Sequence, residues 1–416
     1  MPARRLAARW VLPVAAPPIE CGAVLLGRDG RIEVVGPDPL VPRPANVPGE
    51  AFPDAILIPG LVNAHTHLEL TGFDFGAPPE PDFRSWIARV RRIKETRSAE
   101  AFVASARRGL ADCWACGVTT VGDTGDSGSA IQALAQLGGS GVAYQEVFGP
   151  HPAQAPESLA GLQGRVGELG RWEGGRVRIG VSPHAPYTVS GPLYAAVAVW
   201  ARAEKLPLAL HLAESPAESK LLLHGTGPFA EGWRERGIPL PAGPGCSPVE
   251  WVDRHGVLGE HTLCIHVVQA NEGDLARLAR STSAVAHCPL SNAGHRHGTA
   301  PLGRFLSHGL RVGLGTDSVL SVGTPDLLAE ARAARRLAAL DADAALALAT
   351  LGGARALGLE GEIGSLERKK WGDCAIIRPR SPAGGPSEQV LEAGREGVVA
   401  TFLGGRDVYR ADPVRT

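Results

Sequence analysis

Pro59-Gly60-Leu61-Val62-Asn63-Ala64-His65-Thr66-His67 runs from a β-prone apolar segment into two histidines one residue apart. Side chains along a strand alternate with a period of two, so His65 and His67 project to the same side of the chain. Two imidazoles so placed can grip one metal ion; the competing reading is a pair of exposed loop histidines. The stretch opens a longer rhythm, beginning at Ile56, in which short apolar segments end in polar residues and give way to helix-like segments. That alternation is the one-dimensional signature of a parallel β/α architecture. Strands are predicted over residues 56–64, 118–123, 142–148, 177–182, 207–211, 262–267, 284–287 and 311–315. Eight is the number that closes a TIM-like (β/α)8 barrel, an α/β fold. Helices are expected between them, for instance over residues 102–116 and over the Ala/Leu/Arg-rich 325–339.

Outside this rhythm the chain returns to short strands. Residues 21–26 and 31–35 flank an Asp29-Gly30 turn, and 374–377 and 397–402 are apolar segments with Pro and Gly between them. Residues 1–57 and 365–416 are therefore expected to pair into one small β-sandwich domain beside a barrel over residues 58–364. The Pro-rich stretches 78–81 and 379–387 read as surface loops.

Composition narrows the function. With 42 Lys+Arg against 43 Asp+Glu the net charge is −1, so no global basic field exists to hold nucleic acid or an anionic membrane. No run reaches the roughly 18 apolar residues of a membrane span. Pro13, Pro17 and Pro18 interrupt the apolar patch after Arg4 and Arg5, which argues against a signal peptide. The seven cysteines are an odd number scattered over the chain and do not read as a disulfide framework. A reducing, cytoplasmic setting is expected. Cys113-Trp114-Ala115-Cys116 lacks a second pair at zinc-finger spacing and reads as structural.

Three further predicted strands end in groups that suit a metal site. They are His211, with Glu214 three residues on; His266; and Asp317 in Gly313-Leu314-Gly315-Thr316-Asp317. In a barrel, the carboxyl ends of different strands converge on one mouth. His65, His67, His211 and Asp317 could then share one divalent ion, with a position left open for water.

This constellation resembles the amidohydrolase superfamily, within it the branch of aromatic-amine deaminases and chlorohydrolases, over nearly the whole chain. The resemblance implies a metal-dependent barrel with a β domain made from both termini, and a single ion on residues matching His65, His67, His211 and Asp317. Relatives with two metals commonly bridge them with a lysine or glutamate after the fourth strand. None of Lys94, Lys205, Lys220, Lys369 and Lys370 falls in the corresponding stretch 180–187. His184 there matches a histidine that faces the substrate in nucleoside-deaminating relatives. Glu214 matches the proton-shuttling glutamate, and His266 a histidine close to the metal that contacts the water or the tetrahedral intermediate. The implied catalytic residues are Glu214, His266 and Asp317, acting by addition of activated water to an amine-bearing ring carbon and elimination of ammonia. In Ala286-His287-Cys288-Pro289-Leu290-Ser291-Asn292, His287 is expected to be structural and Asn292 to orient a substrate or a loop. The following Ala293-Gly294-His295-Arg296-His297-Gly298 departs from the apolar run usual in relatives and reads as a specificity loop, its histidines solvated or substrate-facing.

The substrate is expected to be a small aminated heterocycle, an adenine nucleoside first. Relatives acting on methylthioadenosine and S-adenosylhomocysteine place a glutamate beside a tryptophan after the first strand. The stretch Phe83-Arg84-Ser85-Trp86-Ile87 keeps Trp86 and lacks that acid. Glu69 near the same mouth could serve the sugar, and Arg84 and Arg296 could pair with a substrate carboxylate, or all three could be solvated. The opening His-Thr-His-Leu-Glu resembles the deaminases of aminodeoxyfutalosine, a menaquinone precursor, and that substrate is the one chosen. The alternatives are the two thio-nucleosides, guanine or cytosine, a triazine-type dechlorination, and a ligand-binding barrel without turnover. Oligomeric state is left open.

Overall fold

The computed structural model describes residues 3–73, 83–241 and 245–412; the Pro-rich stretch 78–81 lies outside them. The chain begins with β1 (Arg4–Val11), β2 (Ile19–Leu26), β3 (Ile32–Pro37) and β4 (Gly49–Pro59). Then come the barrel strands β5 (Leu61–Thr66), β6 (Val118–Gly125), β7 (Gly141–Val147), β8 (Val177–Pro183), β9 (Leu208–Leu212), β10 (Thr262–His266), β11 (Ala284–His287) and β12 (Arg311–Leu314). It closes with β13 (Cys374–Ile377), β14 (Val398–Leu403) and β15 (Arg406–Arg410). Strands β5 to β12 form a parallel sheet in chain order, and the other seven form one sheet in the order β15-β14-β13-β4-β1-β2-β3. Both termini thus build the smaller sheet, with β4 and β13 antiparallel neighbours.

One expectation is corrected. The single strand predicted over 56–64 is two strands of different sheets, split at Gly60. Residues 56–59 pair with β13, whereas Leu61 starts the barrel by donating to Gly117 O. Gly60 sits where the chain crosses from one sheet to the other, and a Cβ there would lie 2.2 Å from Thr119 Oγ1. The apolar pattern runs unbroken across the crossing because both strands are buried, so periodicity carries no sign of it.

The near-continuous apolar strands follow from burial on both faces. In β7, Val142 and Tyr144 face the barrel interior while Ala143 and Val147 pack on the outer helices. In β9, Ala209 lies inside and Leu208 and Leu210 outside. Each fully buried Leu, Val or Phe contributes roughly 1.5–3 kcal/mol relative to exposure. Cys113, in the outer core, and Cys116 are buried free thiols, Cys116 pushed up to about 12 by burial. The helix Ala99–Ala115 that carries Cys113 starts at Ser98, whose side chain accepts from Ala101 N, and its end is followed by Gly117 at φ +79°. Among the described residues no helix is long and apolar enough to cross a membrane.

The barrel closes between its first and last strands. Thr66 and Asp317 form a parallel bridge, and Thr316 N and Asp317 N both donate to His65 O at 3.0 Å. At the opposite end, Arg176 before β8 grips Asp373 of the terminal sheet with both guanidinium nitrogens, and Asp373 also accepts from Gly404 N. Trp371 lies between the guanidinium groups of Arg31 and Arg176, at 4.4 and 4.6 Å.

Candidate active site

The closing seam carries the histidines and the aspartate to one point. Asp317 Oδ1 lies 3.3 Å from His65 Nε2 and 3.3 Å from His67 Nε2. Ligand atoms bonded tetrahedrally at roughly 2.0–2.1 Å stand about 3.3 Å apart, so this spacing is that of neighbours around one cation. His67 Nδ1 is 2.9 Å from Thr124 O and His211 Nδ1 is 3.3 Å from His184 O. Each Nδ1–H therefore donates to a carbonyl, leaving Nε2 as the free lone pair. His65 is 0% exposed and neither ring nitrogen has a hydrogen-bond partner. A buried imidazole so orphaned is costly unless an ion takes it. The ligand atoms of His65, His67 and His211 lie within 4.8 Å of one another, as do those of His65, His266 and Asp317. Burial pushes His65 down to about 4. Burial alone would raise Asp317, but the His65 and His67 rings hold it well below the usual carboxylate range. A neutral His65 and an ionised Asp317 are the protonation states a divalent ion needs; His67, lowered by burial but raised to about 9 by the Asp317 carboxylate, would release its proton on binding one, and so the residues fit.

Backbone strain aims these groups. His266 and Asp317 adopt φ of +72° and +57°, and Ala213, before Glu214, +50°. Non-glycine residues in that region cost about 1–3 kcal/mol each and persist where the surroundings enforce them. Glu218, raised to about 8 by burial, accepts from Ala213 N and Glu214 N at 2.8 Å, which fixes the turn after β9.

Glu214 stands at the rim of this cup. Its Oε1 lies 3.6 Å from His266 Nε2 and 3.3 Å from His297 Nε2, and Tyr187 Oη donates to Oε2 at 3.3 Å. Burial pushes Glu214 up, yet the His266 and His297 rings bring it down to about 2. His266 is held in turn by Asn292, whose Oδ1 accepts from Nδ1 at 2.9 Å.

The other residues singled out from sequence divide into two groups. His184 reaches the cup: its ring is 4.8 Å from that of His211, Nδ1 meets Thr188 Oγ1 at 2.8 Å, and burial takes it down to about 3. Trp86 is buried, stacked on Phe83 and edge-on to His295. Asn292 is turned to His266. Glu69 is engaged by Lys94 and by Ser127, one on each carboxylate oxygen, and Lys94 also pairs with Asp126. Arg84 pairs with Glu235 at 2.6 Å, and Arg296 stands exposed.

Two residues of the cup, Glu146 and Tyr187, escape the sequence reading, and a third, His297, is expected from sequence only as a loop histidine, solvated or substrate-facing. Glu146 is buried near the end of β7 with Oε1 lacking a partner, and its ligand atom lies within 4.8 Å of those of His184 and His211. A carboxylate at the end of a predicted barrel strand was its signal. Tyr187 and His297 depend on how loops fold back, which no local pattern announces.

The geometry has counterparts among known proteins. Residues 56–408 match the amidohydrolase family. The chain is 35% identical over 321 residues to the aminodeoxyfutalosine deaminase of Deinococcus radiodurans, covering 73% of this chain and 74% of that one. It is 31% identical over 388 residues to the 5-methylthioadenosine/S-adenosylhomocysteine deaminase of Moorella thermoacetica, covering 89% and 85%. The solved structure of an adenosine deaminase from Xanthomonas campestris with bound zinc superposes with a TM-score of 0.83 at 25% identity, covering 98% of this chain and 94% of that one.

Proposed function

The chain belongs to the amidohydrolase family, and on that premise we propose that it is a metal-dependent hydrolytic deaminase of an adenine nucleoside. The observation that carries the reading is Glu214, a buried carboxylate that accepts from Tyr187 and faces the His266 and His297 rings, beside a cup of three imidazoles and an aspartate. His65, His67, His211 and Asp317 would hold one divalent ion, Zn2+ or Fe2+. When bound, the ion supplies Lewis acidity that makes water a competent nucleophile near neutral pH.

The chain's own residues then divide the proton transfers. Asp317, ionised and braced through Oδ2 by Ser291 Oγ, takes a proton from the attacking water. Glu214 relays the other proton of the same water to the ring nitrogen next to the attacked carbon, and the proton held by Asp317 passes to the amine, which leaves as ammonia. His266, fixed through its Nδ1–H by Asn292, presents Nε2 to the attacking water and positions it. Glu146 and His184 face the same cup from β7 and the end of β8 and hold the substrate by hydrogen bonds. The stacked rings of Phe83 and Trp86 form an apolar wall for it.

For the substrate we propose aminodeoxyfutalosine, which would place the enzyme in menaquinone synthesis. The Deinococcus radiodurans relative and the lack of an acid in the stretch 83–87 favour it. Exposed Arg296 is the group we assign to its carboxylate. Glu69 and Arg84 would have to leave Lys94 and Glu235 to take part, so they are given no contact. Metal-loaded protein should release ammonia from aminodeoxyfutalosine with loss of the adenine absorbance, and a chelator should abolish it. More efficient turnover of methylthioadenosine would overturn the substrate, and no ammonia from any adenine nucleoside would overturn the reaction.

A further inference from the structure

The loop after β11 turns His297 inward. Arg296 takes a left-handed conformation, φ +57°, which sends its own side chain to solvent and the next residue toward the barrel. His297 is 3% exposed; its N–H donates to Asn292 O at 2.9 Å and its carbonyl accepts from Gln269 Nε2. With the backbone tied on both sides, Nε2 comes within 3.3 Å of Glu214 Oε1 and has no other partner. The approach is skewed from hydrogen-bond alignment, and such contacts tighten when a substrate completes the site.

The same ring also packs. Phe83 meets it edge-on at 4.5 Å and His295 stacks on it at 5.3 Å; Trp86 touches both Phe83 and His295 and closes a cycle of four rings. Packing and donation are therefore two separable roles of one side chain.

We propose that His297 is a positioning residue for Glu214, donating Nε2–H to Oε1 so that Oε2 stays turned toward the substrate. This rests on the reading of Glu214 as the proton carrier. Glu214 is faced by His266 from β10, His297 and His295 from the segment after β11, His184 and Tyr187 from the loop after β8, Asp317 after β12, and Glu218 on the helix that follows it. His297 and His295 come from the segment that departs from the run usual in relatives, and of the two it is His297 that comes within 3.3 Å of Glu214. The loop thus joins substrate covering to proton transfer.

Two substitutions separate the roles. His297→Gln keeps an N–H donor at similar reach and loses the ring, whereas His297→Phe keeps the ring and loses the donor. The expected result is a kcat in His297→Phe lower by about 10-fold or more with KM within about 3-fold, metal content unchanged, and recovery of most of kcat in His297→Gln. The acid limb of kcat/KM should move to higher pH in His297→Phe, because Glu214 loses a group that favours its ionised form. The reverse order, with Phe active and Gln impaired, would overturn the proposal in favour of packing. Should His297→Phe not fold, His297→Leu carries the same comparison.

A readout independent of turnover is a double-mutant cycle on thermal unfolding of the metal-loaded protein, using His297→Phe, Glu214→Gln and the pair. The two shifts in Tm should fail to add; additive shifts would mean that the side chains do not interact. A wild-type protein that releases no ammonia would sink the deaminase reading, while the cycle would still judge the contact.

Discussion

Where the barrel meets the terminal sheet, Asp373 is buried and every partner it needs is present: two nitrogens of Arg176 and the N–H of Gly404. At the other end, His65, His287 and Glu146 are buried as deeply and carry nitrogens or an oxygen with no hydrogen-bond partner. An unpartnered buried polar group costs about 1–3 kcal/mol, so one end of the same cylinder spends stability that the other supplies. The difference teaches where to look for chemistry: burial of charge is common to both ends, and the unpartnered buried imidazoles gather at one.

Substitutions at the two ends should therefore separate turnover from stability. The largest effect is expected from His65→Ala or His211→Ala, which should lose the bound metal and lower turnover by roughly 10³-fold or more, measured by metal analysis and ammonia release. Asp317→Asn should be nearly inactive too; full activity at equal metal content would contradict its part as proton acceptor. Next, Glu214→Gln should retain the metal and lose about 10²–10⁴-fold in kcat, and retained turnover would remove it as proton carrier.

Arg176→Ala tests the opposite end. It leaves the Asp373 carboxylate buried and should destabilise the fold by about 3–5 kcal/mol, lowering Tm with turnover per folded molecule unchanged. The smallest effect is a pH dependence. Burial brings His184 and His287 from 6.5 down to about 3. Between pH 6.5 and about 3 the unfolded chain binds protons at these sites that the native chain does not, so their contribution to stability falls as pH falls through that window. Urea midpoints of metal-free protein should drop from pH 7 to pH 4, less steeply in His287→Leu; equal slopes would show that His287 plays no part.

Much of this contrast is legible in the chain, and what is not has physical reasons. The eight barrel strands and the strand-end residues His65, His67, His211, His266 and Asp317 follow from local patterning, because a strand's period and its terminus are local properties. The crossing at Gly60 is hidden because the apolar pattern runs on through two buried strands, and the side chain that leaves no room for a Cβ there, Thr119, is distant in sequence. Glu69 looked available beside the histidines, but Lys94 from a later helix engages it. Glu146 lies in the apolar run of β7 and gains meaning only beside His184 and His211. His297 looked like a loop histidine until the contacts of Asn292 and Gln269 turned it inward.

The two hydrogen bonds from Thr316 and Asp317 to the carbonyl of His65 make the final clasp of the cylinder and the completion of the cup a single event. Thr66 and Asp317 are separated by 251 residues, so during synthesis the first pair of imidazoles leaves the ribosome long before its carboxylate. A nascent chain that stops short of β12 presents an open strand edge at β5, a template for unwanted pairing. Capture of a cation by the full ligand set is thus a late step of biogenesis, and it rewards only a chain that has been made through β12 and Asp317.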